Sequence, residues 1–380
     1  MMRIPFNGTF ELTARCNLRC KMCLIRIDHK RMRELGGKER NEKEWISMAQ
    51  EVKEAGTIGL LLTGGEPLLH PDFKEIYREI AQMGFVLTLY TNATLITPEI
   101  YQILERYPPH RIGITVYGAS PETYERVTGS AEAYERMLAG VHQLRALPSI
   151  LSVRTTIIKD NRKDLSEITG WARSLGKDVE FSLSRIVTKP VRGGISDAES
   201  CRLTPEENAA LLKKRNIELL VTPFRKFIQE HIPCELPDIG EQYTGSGNRP
   251  FHTSAGGQTL YGCDAGMNSY AITWDGRLIG CQLLEDCWSY PFINGFLHAW
   301  EAFPLQVKHS PLPDKCIGCG TNCCVCPATR FAETGSLSGW PEYLCREGKL
   351  ANKMEMEVVS ELEKIMEEEL KRCMPMSHPN

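Results

Sequence analysis

The sequence has little that would direct it to a membrane, to nucleic acid or out of the cell. Its apolar runs stay well short of the ~20 residues that a membrane-spanning helix needs. Residues 1–6 lack the long apolar core of a secretion signal. The formal net charge of −3 gives no overall attraction to nucleic acid or to an anionic membrane. We therefore predict a cytoplasmic protein with no nucleic-acid partner and no membrane partner.

The chain also lacks internal repeats and low-complexity segments, which excludes a solenoid. Between residue 8 and about residue 185, short apolar runs alternate with amphipathic helical stretches. This alternation is typical of βα units that build a parallel sheet. The predicted strands are residues 9–13, 59–63, 86–90, 111–116, 151–158 and 179–183. Such a series predicts an α/β fold with too few units for a complete eight-fold barrel.

Cysteine, by contrast, is abundant. The chain has 15 cysteines and no export signal, which argues against a disulfide framework and favours metal or cluster ligation. Three of them lie on one short segment, Cys16-x3-Cys20-x2-Cys23. Three thiolates can bind three irons of a cubic [4Fe–4S] cluster and leave the fourth iron open. A structural zinc site or a disulfide-bearing loop is the alternative for this segment taken alone.

A second motif, Thr63-Gly64-Gly65-Glu66-Pro67, follows an apolar run that is typical of a buried strand. Paired glycines let the backbone approach a ligand closely, and nearby carbonyls and a carboxylate can bind a cationic amine. Taken alone, the motif is an ordinary strand-to-helix turn. However, this turn, the cysteine segment and residues 90–92 and 115–118 all follow predicted strands. Parallel barrels place their ligand sites at those strand ends, so we expect one site there.

The cysteine spacing and the Gly-Gly-Glu-Pro turn together resemble the signature of the radical S-adenosylmethionine (radical SAM) superfamily. The resemblance implies a partial (β/α)6 TIM-like barrel with a [4Fe–4S] cluster on Cys16, Cys20 and Cys23. It also implies that S-adenosylmethionine binds the open iron and is cleaved reductively to a 5′-deoxyadenosyl radical. An electron donor such as flavodoxin or ferredoxin is then an expected partner.

By resemblance, the cofactor-binding residues are Met22, Gly64, Gly65, Glu66, Pro67, Asn92, Thr115 and Arg126. The glycine turn is expected at the amino group of the cofactor, and Asn92 and Thr115 near its ribose and carboxylate. Met22 takes a position beside the adenine where the family more often has an aromatic residue. Arg126 either pairs with the cofactor carboxylate or is a helix-surface arginine paired with a neighbouring glutamate.

The cysteines of the C-terminal third resemble the SPASM extension found behind radical SAM barrels. The resemblance assigns a first auxiliary cluster to Cys263, Cys281 and Cys326, and a second to Cys316, Cys319, Cys323 and Cys345. Two points stay open. Either Cys323 or the adjacent Cys324 is the ligand, and the first cluster is completed by Cys287 or keeps an open iron. By spacing alone, zinc ribbons are an equal alternative.

The predicted domains are a radical SAM partial barrel at residues 1–185, a bridging region at 186–250, the SPASM domain at 251–346, and a C-terminal helix and tail at 347–380. Within this family, the resemblance implies an enzyme that oxidatively modifies a peptide or protein. A radical SAM enzyme acting on a small molecule and a non-catalytic zinc protein are the alternatives. Because the first strand begins near the N-terminus, we expect a precursor peptide, if that is the substrate, to be recognised by a separate leader-recognition protein or by the barrel itself.

Overall fold

The computed structural model describes residues 3–231, 265–284, 288–303, 313–316, 319 and 326–373. Of the predicted cluster ligands, Cys263 and Cys323 lie outside the described residues, as do Cys287 and Cys324. The chain forms two compact units. The first comprises Met1–Arg202, Gly257–Pro311 and Cys326–Gly339, and the second comprises Leu203–Gly256, Leu312–Val325 and Trp340–Asn380. The domain boundaries predicted from the sequence stay a prediction.

The first unit is built on one open, mainly parallel sheet. Its strands are β1 (Asn7–Glu11), β2 (Gly59–Thr63), β3 (Val86–Thr91), β4 (Arg111–Thr115), β5 (Ile150–Thr156), β6 (Glu180–Ser184), β7 (Ser269–Ile272), β8 (Leu278–Ile279) and β9 (Trp288–Ser289). Their order is β6-β5-β4-β3-β2-β1-β7-β8-β9. Neighbours from β6 to β7 are parallel, whereas β8 and β9 are antiparallel additions. The α/β class with an open parallel half-barrel is therefore confirmed.

Helices follow most of the strands. They are α1 (His29–Glu34), α2 (Glu42–Glu54), α3 (Phe73–Gln82), α4 (Pro98–Arg106), α5 (Pro121–Thr128), α6 (Glu132–Leu144), α7 (Leu165–Ser174), α8 (Ala198–Cys201), α9 (Pro205–Asn216), α10 (Thr222–His231), α11 (Pro291–Asn294), α12 (Phe296–Ala302), α13 (Pro327–Thr334) and α14 (Glu342–Cys373). Several begin at the capping residues that the sequence supplies. The Thr97 side chain accepts a hydrogen bond from the backbone of α4, and Pro98 occupies the first turn.

Amphipathic helices cover the sheet and form the core of the first unit. Helix α2 buries Trp45, whose ring centroid lies 4.9 Å from that of Phe10 in β1. Helix α3 buries the side that its sequence pattern predicts, including Ile76 and Ile80. Because both layers contribute large apolar side chains, the strand ends that carry the polar residues are held on a rigid support.

Strands β7 and β8 form an antiparallel hairpin around Asp275 and Gly276. The structure adds a pairing that the sequence does not reveal, because β7 also pairs in parallel with β1, with Asn7 opposite Ser269. The first strand of the chain therefore lies between β2 and a strand from the C-terminal third.

The second unit contains α9, α10 and α14. Thr204 and Glu207 form a capping box that begins α9. An apolar cluster that includes Val221, Val358 and Ile365 joins α14 to the segment after α9. Among the described residues, no helix has the length and apolar character required to cross a membrane.

Candidate metal and cofactor site

The segment that carries Cys16, Cys20 and Cys23 leaves β1 at its C-terminal end. It is held there by backbone hydrogen bonds to two neighbours. The Leu12 N–H donates to the carbonyl of Thr63 at the end of β2 (2.8 Å), and the Arg19 N–H donates to the carbonyl of Thr128 at the end of α5 (2.8 Å). Strand ends therefore place the loop where parallel barrels bind ligands.

All three cysteines line one cavity with a volume of about 1180 Å³. The other lining residues that matter here come from the ends of neighbouring strands: Gly64, Gly65, Thr115, Tyr117, Thr156 and Ser184. The structure thus brings together, at one edge of the sheet, segments that are far apart in the sequence.

The electrostatics of the three thiols favour a cationic occupant. Cys16 is exposed as a residue, yet desolvation of its thiol and the negative charges of Glu66 and Cys23 raise its pKa to about 12. Burial raises the pKa of Cys20 well above its usual value, and the negative charges of Cys23 and Cys16 raise it further. A hydrogen bond from Tyr117 lowers the pKa but does not offset this rise. Thiols in such a place ionise only when a positive partner compensates them. The donor set therefore fits a group of iron ions bound through three thiolates.

The paired glycines permit a close approach between the turn and the cysteine loop. The Gly65 N–H donates to the Thr13 carbonyl, and the Glu66 N–H donates to the Arg15 carbonyl, each at 2.8 Å. A Cβ atom on Gly65 would lie 2.7 Å from the Ala14 carbonyl oxygen and closer still to that of Arg15. Gly64 has φ +149°, which disfavours other residues. The glycines line the cavity and also anchor the loop beside it.

Glu66 is fully buried, and its carboxylate already has three donors. It accepts hydrogen bonds from the Asn92 N–H (2.7 Å), the Thr91 hydroxyl (2.8 Å) and the Leu68 N–H (3.3 Å). Burial raises the pKa of Glu66 to about 7 in spite of these donors. Glu66 and Pro67 are not among the residues that line the cavity. In this structure Glu66 ties the end of β3 to the glycine turn, and its predicted contact with the cofactor stays a prediction.

Asn92 links the end of β3 to the cysteine loop. Its Nδ2 donates to Asn17 Oδ1 (2.9 Å) and lies 4.0 Å from Cys16 Sγ. Its Oδ1 accepts from the N–H and the hydroxyl of Thr94, and Thr94 Oγ1 accepts in turn from Asn17 Nδ2. This closed network orients the first cysteine of the loop.

The remaining predicted cofactor residues divide into two groups. Met22 and Thr115 line the cavity, as their predicted roles require. Arg126 does not line it. Its guanidinium donates instead to the Thr123 hydroxyl (2.8 Å) and the Asp160 carbonyl (3.5 Å), neither of which is the predicted glutamate. The pairing of Arg126 with a cofactor carboxylate stays a prediction.

Two features of the site were missed by sequence reasoning. Tyr117 lines the cavity beside the cysteines, although the sequence analysis noted only that residues 115–118 follow a strand. Glu11 and Arg192 form a buried ion pair just below the cysteine loop, with N–O distances of 2.7 Å. No local sequence signal could have found that pair, because its members are 181 positions apart.

The described C-terminal cysteines fall into two sets. Cys281 and Cys326 belong to the first unit, where both pack against the apolar cluster of Ala265, Leu284, Phe303 and Ala328. Cys316, Cys319 and Cys345 belong to the second unit. The described members of each predicted cluster therefore belong to the same unit, and the two clusters stay a prediction. Within the described part of the chain, no three His, Cys, Asp or Glu side chains are placed to hold a single metal ion.

The cavity extends to the first of these sets. Leu283 and Thr329 line it together with the cysteine loop, and they lie close in sequence to Cys281 and Cys326 respectively. Cys326 also caps α13, since its Sγ accepts a hydrogen bond from the Thr329 N–H (3.4 Å). The C-terminal cysteines of the first unit are therefore next to residues that face the cavity.

Comparison with known proteins agrees with this geometry. The family model described as the radical SAM superfamily matches residues 10–172. The AdoMet-dependent heme synthase of Methanosarcina barkeri is 35% identical over 46% of this chain and 49% of that protein. The PqqA peptide cyclase of Bradyrhizobium diazoefficiens is 27% identical over 46% of this chain and 45% of that protein. The matched region thus spans about half the length of these curated relatives.

Two solved structures share the fold over most of the chain. Streptococcus suis SuiB bound to precursor peptide SuiA has a TM-score of 0.63 at 15% identity, covering 90% of this chain and 76% of that one. Native anSMEcpe with bound AdoMet and Cp18Cys peptide has a TM-score of 0.62 at 15% identity, covering 94% and 98%. The family match begins in β1 and ends in α7, and so takes in the cysteine loop, the glycine turn and the strand ends around them. Residues 10–172 of this chain are therefore similar to the radical SAM superfamily.

Proposed function

We propose that this protein is a radical SAM enzyme of the SPASM subgroup that oxidatively modifies a side chain or backbone carbon of a peptide or protein. The observation that carries the proposal is the cavity shared by Cys16, Cys20 and Cys23 with the glycine turn and residues near the C-terminal cysteines. At about 1180 Å³ it exceeds the roughly 300–1,000 Å³ of an ordinary small-ligand pocket. It has room for a cofactor and part of a substrate side by side.

When bound, a [4Fe–4S] cluster with S-adenosylmethionine supplies a 5′-deoxyadenosyl radical that abstracts hydrogen, and auxiliary clusters supply an electron acceptor. The chain's own residues hold and shield that chemistry. Cys16, Cys20 and Cys23 provide three thiolates, and Asn92 orients the first of them. Met22, Thr115 and Tyr117 form the cavity wall beside the cysteines and keep water from the reacting atoms.

The C-terminal cysteines serve as the auxiliary sites in this proposal. Cys263, Cys281 and Cys326 bind one cluster, and Cys316, Cys319, Cys323 and Cys345 bind the other. The division of the described cysteines between the two compact units supports this pairing. Since Leu283 and Thr329 face the cavity, the first auxiliary site is the one positioned to take an electron from the substrate.

A peptide substrate is supported by the likeness to PqqA peptide cyclase and by the fold shared with the two peptide-bound structures. In this proposal a protein such as flavodoxin or ferredoxin donates the electron, and a precursor leader is recognised by a separate protein or by the barrel itself. The 35% identity to AdoMet-dependent heme synthase favours a second candidate function, oxidation of a small molecule by the same radical chemistry.

The proposal is tested with protein purified without oxygen and reconstituted with iron and sulfide. Reduction with dithionite in the presence of S-adenosylmethionine should release 5′-deoxyadenosine. Co-expression with peptides encoded beside the gene should then give a product two hydrogens lighter by mass spectrometry. Unmodified peptides combined with turnover of a metabolite would favour the second candidate. Colourless protein that holds zinc and lacks charge-transfer absorbance would leave only the non-catalytic zinc protein.

A further inference from the structure

Residues 186–196, which we call the strap, follow β6 and run along the cysteine loop. Two backbone hydrogen bonds and one from a side chain join them. The Val191 N–H donates to the Leu24 carbonyl (2.9 Å), the Ile195 N–H donates to the Arg26 carbonyl (2.8 Å), and the Arg26 guanidinium donates back to the Ile195 carbonyl (2.8 Å). The strap is therefore paired along the part of the loop that follows the third cysteine.

The strap also contacts that cysteine directly. The Ser196 hydroxyl donates to the backbone carbonyl of Cys23. Four strap residues form one side of the cavity: Ile186, Val187, Thr188 and Ile195. The same segment thus fixes the backbone of one proposed cluster ligand and shapes the space that faces it.

The centre of the strap is anchored by charge. The Arg192 guanidinium binds Glu11 through two parallel bonds of 2.7 Å, and the two side chains are 3% and 1% exposed. Glu11 is the last residue of β1, directly before the cysteine loop. Arg192 has φ +53°, a conformation that a non-glycine residue adopts only when its surroundings enforce it.

A buried ion pair is weak evidence for stability, because two apolar side chains of similar volume often serve as well. A bidentate arginine–carboxylate pair does fix geometry, since both partners are planar and only one arrangement makes both bonds. The location of this pair, between the root of the cysteine loop and the strap, indicates that geometry is what it provides.

We propose that the strap is the element that positions Cys23 for cluster binding, with Arg192 as its anchor on Glu11 and Ser196 as its contact with the ligand. The inference rests on the proposed function, because it assumes a cluster on the cysteine loop. It adds Glu11, Arg192 and Ser196 to the machinery as positioning residues rather than catalytic ones.

The test compares Ser196→Ala and Arg192→Lys with two controls in reconstituted full-length protein. Ser149→Ala is the matched control for the first variant, because the Ser149 hydroxyl also donates to a carbonyl, that of Pro109 (2.6 Å), and does not line the cavity. Arg3→Met is the control for the second, because Arg3 joins distant segments through the Gly266 and Trp300 carbonyls. The readout is the part of the reduced-cluster EPR spectrum that changes when S-adenosylmethionine is added, together with the affinity for that molecule.

We expect altered g-values in both strap variants and unaltered spectra in both controls. Affinity should fall about fivefold in Ser196→Ala, the equivalent of one lost hydrogen bond, and more than tenfold in Arg192→Lys, which cannot form the bidentate pair. Should Arg192→Lys fail to fold, Ser196→Ala decides alone. Wild-type spectra and affinities in Ser196→Ala would overturn the strap proposal while the proposed function stands. A wild-type protein with no response to S-adenosylmethionine would overturn both.

Discussion

The cysteine loop at the N-terminal end and the cysteines of the C-terminal third are organised in opposite ways. Cys16, Cys20 and Cys23 lie within one loop whose backbone is tied to β2, to α5 and to the glycine turn. The described C-terminal cysteines are spread from Cys281 to Cys345 and belong to two compact units. One short stretch of sequence at a sheet edge carries the first group, whereas the described C-terminal cysteines come from stretches that are far apart in the sequence.

The two groups of cysteines are therefore arranged by different means. Backbone contacts hold the loop that carries the first three thiols, since the ends of β2 and α5 accept hydrogen bonds from it. The described C-terminal cysteines come from separate segments, so in the proposed assignment cluster binding would supply part of their organisation. Removing ligands should therefore have local effects at the first site and wider effects at the others.

The largest effect is expected when the first site is removed altogether. Replacing Cys16, Cys20 and Cys23 with alanine should reduce 5′-deoxyadenosine formation to background, because no three-thiolate site is left. About four irons per chain should be lost while the auxiliary irons stay, as measured by iron analysis. Cys201→Ala, at a buried cysteine not assigned to a cluster, is the control. Continued 5′-deoxyadenosine formation in the triple variant would contradict the assignment.

The next effect separates the two C-terminal sets. Cys281→Ala and Cys345→Ala should each lower the iron content by about four, and the two losses should add in the double variant. Release of 5′-deoxyadenosine should persist in both, whereas product formation should fall most in Cys281→Ala, whose segment is next to the cavity. If either single change removes the iron of both sets, the pairing of cysteines with units is wrong.

A smaller effect tests whether the first site really is preformed by protein contacts. In Gly65→Ala, the new Cβ meets two backbone oxygens of the cysteine loop, so we expect a loss of about 3 kcal/mol in the free energy of unfolding. Gly170→Ala is the control, because Gly170 lies in α7 with no atom within 4 Å of the added carbon. That change should leave stability the same or raise it by about 0.5–1 kcal/mol. Equal denaturant midpoints for the two variants would contradict the claim that close packing against the glycine turn holds the cysteine loop in place.

The smallest effect concerns Glu66, which joins the glycine turn to β3. Burial raises its pKa to about 7, so the folded protein holds this proton more tightly than the unfolded chain does. The stability contribution is complete at low pH and is lost as the pH rises through about 7. Between pH 5 and pH 7 the loss should be about 2 kcal/mol. Denaturant titrations of cluster-free protein should show this slope, and Glu66→Gln should flatten it; a slope that persists in Glu66→Gln has another source.

Most strands of the half-barrel could be predicted from the sequence, because each is a short apolar run that ends in a turn. The predicted strands at 59–63, 86–90 and 111–116 match β2, β3 and β4 within a residue at either end. The first strand was placed at 9–13 but runs from Asn7 to Glu11. Leu12 and Thr13 fit the pattern of a strand and were therefore included in the prediction. In the structure they belong to the loop that turns toward the glycine motif.

The site was predicted well where a motif supplies its chemistry and poorly where distant residues complete it. The cysteines and paired glycines meet at one cavity as expected. Arg126 was assigned by resemblance, but its contacts with Thr123 and Asp160 depend on the folded positions of α5 and the segment after β5. The pairing of β7 with β1 could not be deduced, because the sequence of a four-residue strand does not specify which sheet edge the strand will pair with.

The position of β1 between β2 and β7 has a consequence for how the chain is made. The ribosome releases residues 7–11 early, but their second neighbour, residues 269–272, emerges only after most of the polypeptide has been synthesised. Until then the growing chain carries an open row of amide and carbonyl groups along its oldest strand, the kind of edge that recruits foreign strands. Nascent chains stalled before residue 269 should therefore depend on chaperones far more than chains released at full length.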